Sequence, residues 1–328
     1  MKFRQLQCLH EVANCGFNVS KAAAALAATQ PAVGKQIRLL ESELGVELLI
    51  RRAKRVIGLT DAGEEVLRCA RNVLRETQNI ARIGADFSAS SSGSMSVVTT
   101  HTHARYMLLP AVRAFVERYP AVELRLQQGA PERIVDVILA GGADVGVITS
   151  SGNFPPGVGS IACFQMKHSL VVPAGHPLLR KRRLTLESLA QFPIIARDPA
   201  QQIGAEILRR FHEAGLRPKF VVQALDSDVM KTYVEAGIGI AVIPKLAFSP
   251  LRDKGLRSLD VSHLFGATTT FAIFRSGAYL NVFLLDFIQL IAPHLSRRKI
   301  AALASGAEVP SDALAAPYYR PPRAAVAN

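Results

Sequence analysis

The sequence predicts an α/β protein in which a small helical unit, one long helix and a two-lobed α/β region follow one another. Residues 1 to 58 carry helix-period apolar patterns and end in a basic hairpin. A longer helical pattern begins at Thr60 and Asp61, and from about Met95 to Leu295 short apolar runs alternate with helical stretches. Such alternation favours parallel strands joined by crossover helices, and about 200 residues suit two small lobes with a cleft between them.

Composition and charge narrow the class of protein. The content of 49% hydrophobic and 20% charged residues is typical of a globular chain. Because no apolar run reaches about 18 residues and the N-terminal segment is polar, we expect a cytoplasmic protein that does not enter membranes. A net charge of +13 favours nucleic acid as a partner over an acidic membrane, with solubility as the plainest explanation. The four cysteines form no CxxC pair, which argues against a zinc site or a disulfide framework.

Three helices and a hairpin are predicted in the first unit. Ser20 is a candidate cap of the second helix, Thr29 caps the third with Pro31 in its first turn, and Gly45 ends it. The segment ELLIRRAKRVIGLT reads as two short strands around a basic turn. The apolar residues predicted to face inward from the first and third helices are Phe3, Leu6, Leu9, Val12, Val33, Ile37, Leu40 and Leu44.

The outer face of the third helix is small, polar and basic, as a helix-turn-helix needs in order to enter a major groove. Gln30 and Arg38 are candidates for contacts with base edges, and Gly34 would permit close approach. Basic side chains that can neutralise phosphates come from this helix and from the hairpin. They are Lys35, Arg51, Arg52, Lys54 and Arg55. The pattern alone also fits ordinary solvated charges.

The long helix has a mostly apolar stripe at positions 66, 70, 73, 77, 80 and 84, and a second copy of the same helix is a possible partner for it. The linker-like SASSSGS follows. The strands predicted after it are MSVVTT, VELRLQQ, DVGVIT, HSLVVP, PIIAR, KFVVQA, GIAVIP and TTFAIF. The helices predicted between them are ARYMLLPAVRAFVERY, ERIVDVILAG, AEILRRFHEAG, SDVMKTYVEAG and LNVFLLDFIQLIAPHL. Residues 299–328, rich in alanine and proline, are predicted to be disordered.

The segment NVSKAAAALAATQPAVGKQIRLLESELGVELLIRRAKRVIGLTDAGEEVL resembles the N-terminal signature of LysR-type transcriptional regulators. This resemblance implies a winged helix-turn-helix in 1–59, a dimerising linker helix in 60–89 and a two-lobed α/β effector domain of the periplasmic-binding-protein type in 92–295. Its lobes would be about 92–162 with 268–295, and 163–267. The implied partners are double-stranded DNA, a small anionic effector, further copies of the chain as a dimer of dimers, and RNA polymerase; no cofactor is implied.

Later segments are similar to the CysB-like branch, which controls sulfur assimilation and cysteine biosynthesis. They are TTHTHARY, FVERYPAVELRLQQGAP, LDSDVMKTYVEAGIGIAVIP and LLDFIQLIAPHL. In that branch the TTHT segment lines the inducer cleft, where an anion such as sulfate can lie. The resemblance therefore implies a small, anionic, sulfur-related effector, and a LysR-type regulator of an unrelated small molecule is the alternative.

The residues of TTHT also suit an anion, because a strand ending near Thr100 before a helix from about Ala104 presents backbone N–H groups and hydroxyls. If the segment is extended, the side chains alternate, so either Thr100 and Thr102 or His101 and His103 face the cleft. The further candidates at strand ends and in the loop after PIIAR are Gly129, Thr149, Ser150 and Gln202. A plain helix cap remains an alternative for TTHTH, and no further ligands near the H-x-H pair support a metal site. Arg105 fits the cleft and the solvent equally well.

Three departures from the CysB-like pattern bear on the effector. His103 replaces glutamine, Met166 replaces tryptophan, and ARDPAQQ replaces a threonine-rich loop. Gln202 can still hydrogen-bond, although it cannot mimic a compact hydroxyl. A related sulfur compound, an acylated serine and an organic sulfonate therefore stay open beside sulfate.

Other classes fit the sequence less well. The chain has no GxxxxGK, GxSxG or HExxH motif, so it is not expected to be an enzyme. A periplasmic binding protein would need an export signal and would leave the first 90 or so residues unexplained. A chromosome-coating protein would explain the charge and not the long second region.

Overall fold

The structure is a computed structural model that describes residues 1–52, 55–87, 93–199, 202–305 and 316–319. The chain divides into two compact units, Met1–Ala89 and Ser90–Asn328. Within the described residues, no helix combines the length and the apolar character that crossing a lipid bilayer requires.

The first unit is a helical trio with a two-stranded hairpin and a long helix. Its elements are α1 (Phe3–Asn14), α2 (Val19–Ala25), α3 (Gln30–Leu44), β1 (Leu49–Arg52), β2 (Arg55–Leu59) and α4 (Asp61–Phe87). Thr29 caps α3 by accepting from the Ala32 N–H at 3.4 Å, and Gly45 ends it with a φ of 71°. These features of α3 are confirmed.

The cap of α2 differs from the prediction. Asn18 accepts from the Lys21 N–H at 3.0 Å, whereas Ser20 already lies inside the helix and donates its hydroxyl to Gln30. The prediction of Ser20 was wrong because an N-cap residue must have non-helical backbone angles, which Asn18 has.

The core of this unit joins α1, α3, the hairpin and the start of α4. Its buried apolar residues include Leu6, Leu9, Val12, Val33, Ile37, Leu40, Leu48, Leu49, Leu67 and Ala70. Phe3 and Leu44 were also predicted to face inward, yet they are 41% and 40% exposed. Phe3 is the first residue of α1 and Leu44 the last of α3, so both lie at a helix end, away from the centre of the helix packing.

The second unit is a two-lobed α/β domain. In the order of the chain, its first half contains β3 (Gly93–Thr99), α5 (His101–Tyr106), α6 (Leu108–Arg118), β4 (Val122–Gln128), α7 (Pro131–Leu139), β5 (Val145–Ser150) and β6 (Val158–Pro173). Then follow a 3₁₀ turn (Pro177–Arg180), α8 (Leu186–Ala190), β7 (Ile194–Arg197), α9 (Gln202–Glu213), β8 (Phe220–Ala224), α10 (Ser227–Glu235), β9 (Ile240–Pro244) and a second 3₁₀ turn (Lys245–Ala247). The chain continues through β10 (Leu256–Asp260), α11 (Ser262–Phe265), β11 (Ala267–Arg275), α12 (Val282–Ile291) and α13 (Arg297–Ala304).

The strands run in the order β4-β3-β5-β11-β6-β9-β7-β8, with β10 on the other edge of β6. Pairs among β3, β4 and β5 are parallel, as are β7 with β8 and β9, whereas β6 and β11 pair antiparallel to their neighbours. The parallel sheets predicted are therefore mixed sheets.

Strand β6 connects the two lobes. Its residues up to Lys167 pair with β11, and those from His168 pair with β9 and β10. The predicted lobe boundary at 162 falls inside this 16-residue strand, of which only HSLVVP was predicted. The first part of the strand lacks an even alternation of buried and exposed residues, because it runs through the middle of a sheet covered by helices.

Two parts of the C-terminal region pack on the first lobe. Ile300 of α13 is fully buried in the core of the first lobe, which also includes Phe164. Near the end of the chain, Pro317 O accepts from Gln165 N at 2.8 Å, and Tyr319 N donates to Gln165 O at 2.8 Å. The prediction of disorder from 299 was therefore wrong for 299–305 and 316–319, because a few isolated apolar residues pack on the first lobe. Residues 306–315 and 320–328 lie outside the described residues.

Candidate functional site

The outer face of α3 is open to a partner. Gln30, Lys35 and Arg38 are exposed, as are Thr29 and Pro31 at the start of the helix. A Cβ atom built on Gly34 would meet nothing within 4 Å, so the helix can be approached closely at this position. This face combines hydrogen-bonding side chains with two positive charges, which are the groups that contact base edges and phosphates.

Arg51 of the hairpin, predicted to bind a phosphate, has a different role. Arg51 donates to Glu41 through Nη1 at 3.0 Å and Nη2 at 2.7 Å, and the same carboxylate accepts from Leu48 N at 3.0 Å and Leu49 N at 3.2 Å. Burial raises the pKa of Glu41, but these hydrogen bonds outweigh it and hold the pKa below its usual value. Arg51 therefore tethers the hairpin to α3, a role that sequence alone could not separate from phosphate binding.

Two arginines of the hairpin keep exposed side chains. Arg52 and Arg55 are opposite each other on β1 and β2. Lys54 lies outside the described residues. The hairpin thus presents paired positive charge beside its turn, which suits contact with a phosphate backbone.

A cleft of about 370 Å³ opens where the carboxyl ends of strands from both lobes converge. Its lining from the first lobe and β11 comprises Thr100, His101, Thr102, His103, Gln128, Gly129, Ala130, Pro131, Thr149 and Thr268. Its lining from β6 and the second lobe comprises Met166, His168, Arg197, Ile203, Leu225, Asp226 and Pro244.

Most of the residues singled out in the sequence lie in this cleft. Ser150 does not line it, and its hydroxyl instead accepts from Gly152 N at 3.2 Å. Thr149 and Ser150 are neighbours on β5 and point to opposite faces, so only one of them can reach the cleft. Gln202 is the first residue of α9, and its side chain lies outside the described part of the chain.

The TTHTH segment is helical earlier than predicted. Helix α5 begins at His101, directly after Thr100, and not near Ala104. The alternation expected of an extended segment is therefore absent: Thr102 and His103 are both buried, and all four residues from Thr100 to His103 line the cleft. A helix places consecutive side chains about a quarter-turn apart, which allows neighbours to share one wall.

His103 is the centre of a hydrogen-bonded group of threonines. Its Nδ1 lies 2.7 Å from Thr100 Oγ1, and its Nε2 lies 3.1 Å from Thr270 Oγ1 and 3.3 Å from Thr149 Oγ1. Burial, helped by the charge of Arg197, lowers the pKa of His103 to about 4, so the ring is neutral at pH 7. His103 therefore joins β5 and β11 to the start of α5 and brings no charge to the cleft.

Arg197, at the end of β7, is the buried cation that sequence reasoning missed. It is only 5% exposed, and its guanidinium donates to Leu225 O at 2.8 Å and Ser227 Oγ at 2.7 Å. Burial lowers its pKa to about 10, partly offset by Asp226, so it stays positive at neutral pH. The signal was present in PIIAR, where a charged residue ends an otherwise buried strand.

His168 and Thr268 were also missed. Both lie on the strands that connect the lobes and line the cleft at 1% and 4% exposure. Burial lowers the pKa of His168 to about 4, with a hydrogen bond to the Gly266 backbone raising it and Arg197 lowering it further. Nothing in the local sequence distinguishes these residues from ordinary strand positions.

Asp228 of the second lobe bonds to the first lobe beside the cleft. It accepts from His101 at 3.0 Å and from the Tyr106 hydroxyl, and its carboxylate lies 3.4 Å from Arg105 Nε. Arg105 is thus a partly exposed ion-pair partner and does not line the cleft. His101, Asp226 and Asp228 approach one another within 4.8 Å, but these ion pairs and the capping of α10 by Asp226 already occupy the carboxylates.

Comparison with known proteins agrees with this architecture. The helix-turn-helix model of the bacterial regulatory lysR family matches residues 3–64, and the LysR substrate binding domain model matches residues 88–296. The chain is 41% identical over 303 residues to the HTH-type transcriptional regulator SsuR of Burkholderia cenocepacia, covering 92% of this chain and 98% of SsuR. It is 39% identical over 306 residues to CysB of the same organism, covering 93% of this chain and 98% of CysB.

Among solved structures, the cofactor-binding domain of the Cbl transcriptional regulator aligns with a TM-score of 0.61 at 35% identity, covering 64% of this chain and 92% of that domain. The resemblance stated from the sequence motifs is confirmed, as are the two-lobed α/β fold and the prediction of a regulator and not an enzyme. The chain therefore belongs to the LysR family of bacterial transcriptional regulators.

Proposed function

We propose that this LysR-type regulator recognises specific DNA through α3 and the hairpin, and that a small, anionic, sulfur-related effector in the interlobe cleft changes how it binds that DNA. The observation that supports the proposal most is the cleft itself, whose lining combines a buried arginine with several threonines at converging strand ends. Its relatives SsuR, CysB and Cbl support the sulfur-related class.

The DNA-binding part of the proposal assigns roles by exposure and chemistry. Gln30 and Arg38 contact base edges in the major groove, where Gly34 allows close approach. Lys35, Arg52 and Arg55 neutralise phosphates, together with Lys54. Thr29 and Pro31 set the start of the helix against the DNA, and Arg51 contributes by holding the hairpin in place. This assignment places the DNA-binding domain in 1–59.

Assembly follows from α4. Its residues Val73, Ile80 and Ile83 are 45%, 68% and 38% exposed, an unusual display of apolar side chains along one helix. A second α4 covers them, so residues 60–89 pair two chains, and effector domains formed by 92–295 join two such dimers into a tetramer. The tetramer acts in the cytoplasm on promoter DNA and with RNA polymerase.

Within the cleft, the first lobe contacts the effector through Thr100, Thr102, Thr149 and the residues around Gly129. His101 and His103 shape that wall, and Gln202 begins the helix on the opposite lobe. An effector that contacts both lobes favours one lobe arrangement by the difference between its affinities for the two arrangements. That difference is transmitted to the spacing of the DNA-binding domains without any covalent step.

A pair of experiments tests the two halves separately. Wild-type protein, Lys35→Ala/Arg52→Ala, and the charge-matched control Arg113→Ala/Arg125→Ala are titrated against a DNA fragment selected by the wild type, at several salt concentrations. We expect only the first double variant to lose affinity for all sequences and to show a flatter salt dependence. Equal loss in both double variants would contradict the placement of the DNA surface.

The second experiment is a thermal-shift screen with sulfate, thiosulfate, acetylserines and small sulfonates, because a ligand of the folded state raises the melting temperature. We expect a shift that disappears in Thr102→Ala while DNA binding is retained. A shift that persists unchanged in this variant would refute the cleft assignment, and a response only to compounds without sulfur would favour an unrelated effector.

A further inference from the structure

Two buried polar atoms belong to cleft-lining residues on the strands that connect the lobes. His168 Nδ1 and Thr268 Oγ1 have no hydrogen-bond partner among the residues that the structure describes. The two side chains are 1% and 4% exposed. Buried polar groups are almost always hydrogen-bonded because leaving them unpaired is unfavourable. These two atoms, on β6 and β11, are therefore positions where a ligand would supply the missing partner.

The chemistry of His168 and Thr268 indicates the kind of partner that they need. Burial lowers the pKa of His168 to about 4, so the ring is neutral at pH 7 and has one donor and one acceptor nitrogen. The Thr268 hydroxyl can donate or accept. A ligand hydroxyl also does both, so it can pair with His168 Nδ1 and Thr268 Oγ1 together, whereas an inorganic sulfate dianion can only accept.

The charges of the lining favour a single negative charge on the ligand. Arg197 is positive, whereas His103 and His168 have pKa values of about 4 and are neutral. Asp226 lines the same cleft, and its carboxylate accepts from the Asp228 and Val229 N–H groups at the start of α10. A dianion would enter with one charge left uncompensated in a site of low dielectric constant, which is unfavourable.

The size and the apolar walls favour an organic molecule. A volume of about 370 Å³ lies within the range of pockets for small organic ligands, which is roughly 300–1,000 Å³. Met166, Ile203, Leu225 and Pro244 form an apolar surface along the side that carries Arg197. A bare tetrahedral anion would leave that surface without contacts.

We propose that the effector is an organic monoanion with a hydroxyl group, in which a sulfonate or carboxylate binds Arg197 and the hydroxyl bridges His168 Nδ1 and Thr268 Oγ1. The short apolar body of the molecule lies along Met166 and Leu225. This inference rests on the proposed function of the cleft as the effector site. It adds the charge, the donor group and the residues that select them.

Isothermal titration of the full-length protein tests the inference with a matched set of probes. These are 4-hydroxybutane-1-sulfonate, butane-1-sulfonate, 5-hydroxypentanoate and inorganic sulfate. In the wild type we expect the hydroxyl to improve the affinity of the butane sulfonate about 3- to 10-fold, the range of a neutral hydrogen bond. We expect sulfate to bind about tenfold or more weakly than the hydroxylated probes. The two hydroxylated probes distinguish a sulfonate from a carboxylate site.

Variants separate the hydroxyl from the charge. Thr268→Val keeps the shape of the side chain, and we expect it to lower the ratio of the affinities for the hydroxylated and the plain butane sulfonate. Thr269→Val, on the neighbouring position of β11 outside the cleft lining, is its control. Arg197→Gln is expected to weaken both sulfonates about 30-fold or more, with Arg197→Lys intermediate and the exposed Arg182→Gln without effect. Unchanged melting temperature and DNA affinity verify that each variant folds.

The outcomes also distinguish this inference from the function it rests on. If Thr102→Val weakens binding while Thr268→Val and Arg197→Gln leave it unchanged, the cleft is the effector site and the inference is wrong. If none of the three variants affects binding, the cleft assignment fails together with the inference. Tighter binding of sulfate than of every organic probe, or no binding of any organic probe at millimolar concentration, also overturns the inference.

Discussion

Replacing Glu41 with alanine is expected to release the basic hairpin from α3. The Glu41 side chain is only 10% exposed, and it accepts hydrogen bonds from Leu48 N, Leu49 N and the Arg51 guanidinium. Without the carboxylate, two backbone N–H groups at the start of β1 lose their acceptor. The hairpin that carries the proposed phosphate ligands then opens more often.

The size of the effect follows from these contacts. Each backbone hydrogen bond contributes about 1 kcal/mol, and two contribute about 2 kcal/mol. The Arg51 side chain is 35% exposed, so solvent screens the ion pair and limits it to about 0.5 kcal/mol. A total of about 2.5 kcal/mol corresponds to a roughly 70-fold rise in the opening equilibrium of the hairpin. Arg51→Ala removes only the ion pair, and roughly a twofold rise is expected.

Hydrogen exchange measured by mass spectrometry on the full-length protein reads this equilibrium directly at the Leu48 and Leu49 amides. Glu43→Ala, on an exposed position of the same helix, is the matched control and should leave exchange unchanged. Because hydrogen bonds hold the pKa of Glu41 below its ordinary value of 4.5, the stabilisation is complete above that pH and is lost as the pH falls through the lowered pKa.

The reasoning would be refuted if Arg51→Ala accelerated exchange as strongly as Glu41→Ala, or if Glu41→Ala had no effect. DNA titrations give a second check on the same structure. If Arg51 is a tether, its loss should change the salt dependence of DNA binding less than the loss of Arg52. An equal change would indicate that Arg51 binds a phosphate after all.

Three further predictions concern other parts of the chain. The pKa of His103 is about 4 in the folded protein and about 6.5 in the unfolded chain, so the free energy of unfolding should fall by up to about 3 kcal/mol as the pH falls from 6.5 to 4. Melting curves of His103→Gln should depend less on pH than those of the wild type, and an identical pH dependence would contradict the burial of His103. Tyr319→Ala should reduce stability by about 2 kcal/mol in thermal melts, against less than about 1 kcal/mol for the more exposed Tyr318→Ala, and the reverse order would be inconsistent with the packing. Ile80→Glu should dissociate the assembly in sedimentation experiments while Asn72→Glu, exposed and off the apolar stripe, should not; an intact assembly in both would argue against pairing through α4.

Some features followed from local rules. Thr29 and Gly45 bound α3 because capping and the left-handed backbone conformation depend on a few consecutive residues. The hairpin and most strands were found for the same reason, since a period of two or a turn can be read within a short window. Errors arose where local signals compete: Ser20 and Asn18 can both cap, and at TTHTH a strand end, a cap and a helix start overlap within a few residues.

The sequence by itself determined the helix-turn-helix, the alternating strands and helices, and the family, because these depend on spacing and motif. Only the tertiary structure showed that His168, Arg197 and Thr268 share one cleft, since strand order and the crossing of β6 between lobes bring together residues that are distant in the chain. It also decided that His103 and His168 are neutral while Arg197 keeps its charge, because these protonation states depend on burial and on neighbouring charges that no local pattern encodes.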